Sequence, residues 1–367
     1  MTEHKDARDG PLYDLDEHDL ADVRELCGGD EKRVATALKL FNSQRAVSSS
    51  SSINLIIRDF KRICRESGDK LSYENFGVKE VIRFITWAED NKKGLSYFSC
   101  IKPALTTIEQ IRTVPHEKSV FNNDLLATML RGAKRLASER AGPAKKMDYV
   151  PMEAIKKALS TYIWSKAGNP SSIDFVSFRV IFQWIIMATT LCRFEGYKHL
   201  KARHFSIFVN HKGDRGIRIF FPQEKNDQYH NGQIKIMPEQ KGEVIDPFSL
   251  TLLYFERCGF VMGSNDESFI CCRSKGPGGR EADGRFQLSY QTAIKNGRDL
   301  LKNIGFGNIR YGSKSAKYSG ATNANEKGVD FNIITNVGGW KTHGIFARYT
   351  HNSDDYKLKI AQKMLFK

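Results

Sequence analysis

The chain has 367 residues, 57 of them Lys or Arg and 42 Asp or Glu, giving a net charge of +15. That length accommodates two or three domains with a substantial core, and the charge favours a polyanionic partner, most commonly nucleic acid, over a basic protein with no such partner. No apolar run has the length to span a bilayer, the acidic start is not a secretory signal, and the seven scattered cysteines (Cys27, Cys64, Cys100, Cys192, Cys258, Cys271, Cys272) lack zinc-site spacing and read as reduced thiols of an intracellular protein.

The charge is unevenly spread. Residues 1–40 hold 11 acidic and 6 basic side chains, net −5, which leaves net +20 on the rest of a +15 chain. The basic body is therefore the expected nucleic-acid contact. In the acidic part, Val34, Ala37, Leu38, Leu40 and Phe41 mark one amphipathic helix after a mobile opening, and the serine run Ser48 to Ser52 reads as a linker closing a first segment, 1–52.

From 53 to 142 the pattern is all helical. Ile53, Ile56, Ile57, Phe60 and Ile63 share one face; Val81, Ile82, Phe84, Ile85 and Trp87 form the next run; further helices are expected over 97–111 and 121–138. In the fourth, Arg131, Lys134 and Arg135 lie on one face, and Lys145 and Lys146 follow the Gly142, Pro143 hinge. Charge at this density neutralises phosphates without reading sequence. A solvated helix face is the other reading of each residue taken singly.

The remainder, 147–367, is mixed. A helix and loop are expected over 147–174, and the apolar run from Val176 to Leu191 predicts a core helix delivering Arg193 at its C-terminal end. Alternating Phe205, Ile207, Val209, then Ile217, Ile219, Phe221, then Ile234, Ile236 predict a small antiparallel sheet, with Lys225 in the loop before the third strand. Gly276 to Gly279 reads as a flexible loop rather than a nucleotide cradle, lacking a strand before it and a Lys-Ser/Thr after it. A helix-like run from Ala316 ends at Gly328, where a positive φ is expected; Asp330 then caps a helix carrying Phe331, Ile334 and Val337. A last helix, 353–367, is capped by Ser353. The fold class is thus mainly α with a small antiparallel sheet, an α+β arrangement.

Three late features fall in a fixed order: Lys314, Ser315, Ala316, Lys317; then Gly339, Trp340; then Tyr349, Thr350, His351. Lys317 precedes Trp340 by 23 positions and Trp340 precedes Tyr349 by 9. With Leu191, Cys192, Arg193, Phe194, Glu195 and Leu200 upstream, this order resembles the tyrosine recombinases (phage-integrase family), over roughly 147–367 and more weakly over 53–142. The resemblance implies a SAM-like core-binding domain over 53–142 and a catalytic domain over 147–367. It implies Tyr349 as nucleophile forming a 3′-phosphotyrosyl link, Arg193 gripping the phosphate, Lys225 protonating the departing 5′ oxygen and Trp340 packing against the phosphate.

The chain departs from the family's H-x-x-R line, placing Lys314 and Lys317 at its two basic positions. An ammonium cannot reproduce a planar two-toothed guanidinium, and losing one such contact costs on the order of 3 kcal/mol. Three functions follow: a site-specific recombinase, a weakened relative that binds DNA, or a type IB topoisomerase-like enzyme. Arg193 itself has a plainer reading as a helix-end cap or a partner of Glu195. The implied partner is double-stranded DNA held by a homo-tetramer joined through the C-terminal helix, with no membrane, metal or cofactor. Location is nuclear in a eukaryote and otherwise cytoplasm or nucleoid. His199, His204 and His211 share no ligand-like face.

Overall fold

The computed structural model describes residues 17–43, 47–67, 73, 75–112, 114–142, 147–222, 232–263, 265–340, 358 and 362. They divide into two compact units, Met1–Lys145 and Lys146–Lys367.

In the first unit, α1 (Glu17–Leu26), α2 (Glu31–Ser43), α3 (Val47–Glu66), α4 (Val78–Asp90), α5 (Leu95–Ile111) and α6 (Asp124–Ala141) follow in order. The helical spacing read from sequence is the buried spacing: Ile53, Ile56, Ile57, Phe60 and Ile63 of α3 pack with Val81, Phe84 and Ile85 of α4 and with Leu126, Leu130, Ala133 and Ala137 of α6. Two points correct the sequence reading. The serine run is not a linker: Ser48 to Ser52 lie within α3. Serine is only a mediocre helix former, and the apolar stripe beginning at Ile53 carries the helix regardless. The helix α1 was also not anticipated.

The second unit opens with α7 (Met152–Tyr162) and is built around α8 (Phe175–Thr190), whose side chains are buried on almost every side. A helix apolar all round needs partners all round, and α8 has them. Tyr254 of α10 (Pro247–Cys258) stacks on Phe182 with ring centroids 4.1 Å apart. Tyr311 accepts a 2.9 Å hydrogen bond from Trp184 Nε1. After α9 (Phe194–Lys198) come β1 (Phe205–Val209), β2 (Arg215–Phe221) and β3 (Gln233–Pro238), antiparallel in the order β1-β2-β3. Register pairs Ile207 with Ile217 and Ile217 with Met237.

The small sheet expected from sequence is therefore present, with its third strand turned over: Lys235 and Met237 face inward, while Ile234 and Ile236 are exposed. A second, two-stranded sheet of β4 (Cys272–Lys275) and β5 (Glu281–Gln287) was not anticipated; Gly276 to Gly279 is its connecting turn. Three helices complete the unit: α11 (Tyr290–Asn303), α12 (Ser315–Glu326) and α13 (Phe331–Gly338). Gly328 takes φ 76° and Asp330 caps α13 through Asn332 N and Ile333 N, as the sequence predicts. Apart from Leu358 and Gln362, the helix expected over 353–367 lies outside the described residues. Among the described residues no helix is long and apolar enough to cross a membrane.

Candidate active site

The end of α8 sets the position of Arg193. Leu191 ends that helix in the left-handed region at φ 51°, ψ 28°, a conformation costing a side chain about 1–2 kcal/mol. The turn redirects the chain so that Arg193 becomes the N-cap of α9 at φ −87°, ψ 159°. Phe194, the next residue, packs edge-on to Tyr290 with centroids 5.6 Å apart. Arg193 is partly buried, and among the described residues its guanidinium has neither a hydrogen bond nor an ion pair. Glu195 pairs instead with Lys198 at 2.6 Å. A cation at a helix N-terminus is also on the unfavourable side of the helix dipole. Arg193 therefore does not serve as the C-terminal cap of α8, nor as the partner of Glu195.

Lys314 and Lys317 share helix α12 but not an environment. Lys314 is the exposed N-cap, and its side chain is without a partner among the described residues. Lys317, nearly one turn on, points inward with 1 % of its surface exposed. Its Nζ donates a 2.8 Å hydrogen bond to the Gly338 carbonyl and lies 4.3 Å from the Trp340 ring centroid. The carbonyls of the last helical turn lack intrahelical partners, so an ammonium at the C-terminal end of α13 satisfies one of them and also meets the negative end of the helix dipole. The Trp340 ring folds over Gly338 closely enough that a Cβ there would lie 2.1 Å from it. This approach is open only to glycine.

One small hydrophobic cluster ties these pieces together. Leu191, Ala321, Ile334 and Trp340 are buried in it, with Tyr318, Ala324 and Phe331 packed against them. The turn that delivers Arg193, the helix that carries Lys317 and the Trp340 indole thus rest on a common support. At Gly320, α12 crosses α8 so closely that a Cβ would lie 1.9 Å from the Ala188 carbonyl oxygen.

No family model and no curated protein matches the sequence. Solved structures do match. The post-cleavage complex of the XerH site-specific recombinase bound to palindromic difH substrate aligns with 96% of this chain and 99% of its own, at 15% identity and TM-score 0.56. The corresponding pre-cleavage complex covers 96% of each chain, at 13% identity and TM-score 0.53. The chain has the tyrosine recombinase fold. The mainly helical architecture with small antiparallel sheets is that of this fold, and the resemblance read from the ordered boxes agrees with it.

Of the recombinase boxes, Arg193, Lys314, Lys317 and Trp340 are described; Lys225 and Tyr349 lie outside the described residues. In the first unit, Arg131 and Arg135 are exposed on α6 and Lys134 is partly exposed, while Arg135 pairs with Glu139 at 2.9 Å. Lys145 and Lys146 lie outside the described residues. A second basic group escaped the sequence reading, which weighed His199 and His204 only as metal ligands. Lys201, Arg203 and His204 follow the Arg193 box within a dozen residues and line one cavity with His199. The dense K-x-R-H run could have flagged them.

Proposed function

We propose that this chain is a DNA-cutting and rejoining enzyme of the tyrosine class, acting at specific sites through a phosphotyrosyl intermediate. In this reading the Tyr349 oxygen attacks the scissile phosphorus as its phenolic proton passes to solvent, the bond to the 5′ oxygen breaks, and a proton from Lys225 neutralises the leaving oxygen. Arg193 holds a non-bridging oxygen as charge builds on the phosphorane, with Lys314 a further donor from the start of α12. DNA contacts from Arg131, Lys134, Arg135, Lys145 and Lys146, and a tetramer joined through the C-terminal helix, belong to the same proposal.

The observation that carries it is Arg193. A partly buried guanidinium without a described partner, fixed by a left-handed Leu191 turn, is a costly arrangement for structure alone and a suitable one for a bound phosphate.

A second reading is favoured by Lys317. The family's second arginine position holds a lysine whose ammonium is buried between a helix end and an indole. Lys317 in that state supports Trp340 rather than clamping a phosphate. The result would be a protein that binds DNA and cuts slowly or not at all.

Covalent capture separates the two. The purified protein is mixed with fragmented DNA from its source and denatured, and linked fragments are sequenced, with Tyr349→Phe alongside. Adducts clustering at one sequence and vanishing in the variant establish the enzyme. Salt-sensitive binding by both proteins without adducts establishes the binding protein. Adducts spread without a site point to topoisomerase-like relaxation.

A further inference from the structure

A cavity of about 360 Å³ opens in the second unit beside α9, lined by the basic side chains of His199, Lys201, Arg203 and His204 together with Phe269 and Gln287. Its wall is fixed by main-chain bonds: Ala202 N donates to Ser268 O at 2.9 Å, Arg203 N to Asp266 O at 3.1 Å, and Lys201 bridges Phe269. The cavity is thus framed by two tied segments rather than by a loose loop.

The hydrogen-bond pattern fixes what the cavity offers. Lys201 N donates to His204 Nδ1 at 3.1 Å, so the neutral ring carries its proton on Nε2. The 3.4 Å approach of Arg203 Nε to that Nε2 is then a contact between two donors. Gln287 Nε2 donates to the Lys198 carbonyl at 3.1 Å and meets His199 Nδ1 at 3.2 Å, which makes that nitrogen the acceptor and again leaves Nε2–H. Two imidazole rings, an ammonium and a guanidinium therefore line this space. One carboxylate, Glu267, pairs with both Lys201 and Arg203, and it is half exposed at the rim. Burial, with Arg203 and Lys201 adding to it, pushes the His204 imidazole down to about 4, so it stays a neutral donor near neutral pH.

Such a site suits an oxyanion with several acceptor atoms, a phosphate above all. The five residues of α9 lie between Arg193 and His199, six steps of about 1.5 Å, so the two positions stand about 9 Å apart along that helix. We propose that this cavity grips a backbone phosphate of bound DNA, a neighbour of the one held at Arg193. The inference rests on the DNA-acting reading above. Glu267 occupies the cations when the site is empty and yields part of them when a phosphate arrives.

The test is binding of a short duplex of arbitrary sequence to the full chain over a range of NaCl concentrations, with inorganic phosphate as a separate probe. Lys201→Gln and Arg203→Gln are each expected to weaken binding several-fold and to lower the salt slope by about one. Glu267→Gln is expected to tighten it, a gain that a misfolded protein cannot give. The His204 imidazole, followed by NMR, is expected to titrate at higher pH with duplex present. Unchanged affinity and slope in all three variants, with the wild type binding normally, would overturn the cavity site and leave the DNA reading standing. A wild type that retains no duplex at any salt overturns both. A His204 response to inorganic phosphate but not to duplex would assign the cavity to a small phosphate ligand and overturn the proposal.

Discussion

Arg193 and Lys317 are both basic, and both stand at boxes that suggest phosphate chemistry, yet the fold treats them oppositely. Arg193 makes no described side-chain bond, so truncating it removes a partly buried charge rather than a contact. Arg193→Met is expected to leave the melting temperature unchanged or slightly raised, while adduct formation falls a hundredfold or more. Calorimetry beside covalent capture checks both; a large drop in stability would mean that Arg193 is structural. Lys317 predicts the reverse. Lys317→Met strands the buried Gly338 carbonyl and takes the cation from the end of α13, which should destabilise by about 1–3 kcal/mol in a denaturant titration. Lys317→Arg keeps the charge but adds volume at a site 1 % exposed, so any recovered cleavage should come with lost stability.

At the scale of elements, the turn after α8 sets two effects against each other. A glycine at 191 would relieve the left-handed strain, worth about 1–2 kcal/mol. It would also remove a buried leucine from the cluster with Ala321, Ile334 and Trp340, at a cost of about 2–5 kcal/mol. The packing loss is larger, so Leu191→Gly is expected to lower stability in urea, and a gain would show the cluster to be loosely packed. How legible these elements are in the sequence follows from the same balance of local and distant forces. Local pattern was enough for α3 from Ile53 onward, α4 to α6, α8, the Gly328 stop and the Asp330 cap, because helical apolar spacing and cap chemistry lie within a few residues of each other. It failed where the deciding contact is distant. β3 buries Lys235 and exposes Ile234 and Ile236, an orientation set by the pairing of Ile217 with Met237 and not by the strand's own pattern. The β4–β5 hairpin lacks apolar alternation altogether. At the site, spacing brought Lys317 and Trp340 to notice as neighbours in chemistry. That the ammonium is already occupied by the end of α13 depends on a hydrogen bond spanning 21 positions, which no local pattern carries.

For the whole molecule, each unit has a core of its own, and the second also carries the basic cavity whose protonation links to stability. Burial is the main cause that holds both His199 and His204 below the ordinary histidine value, the latter at about 4. A base lowered on folding binds fewer protons in the native state than in the unfolded chain between those two values. The stability it permits is therefore complete above about 6.5, the unfolded value, and is lost as pH falls towards 4. Asp266 and Glu267, held below the usual carboxylate range largely by hydrogen bonds, lose their contribution lower still, as they protonate. The chain's net charge of +15 grows in the same direction, and self-repulsion alone would also destabilise it in acid. The two causes separate in one variant. His204→Gln removes a single titration with almost no change in net charge, so a flatter decline of melting temperature between pH 6.5 and 4 assigns that limb to the cavity, whereas an unchanged decline assigns it to general repulsion.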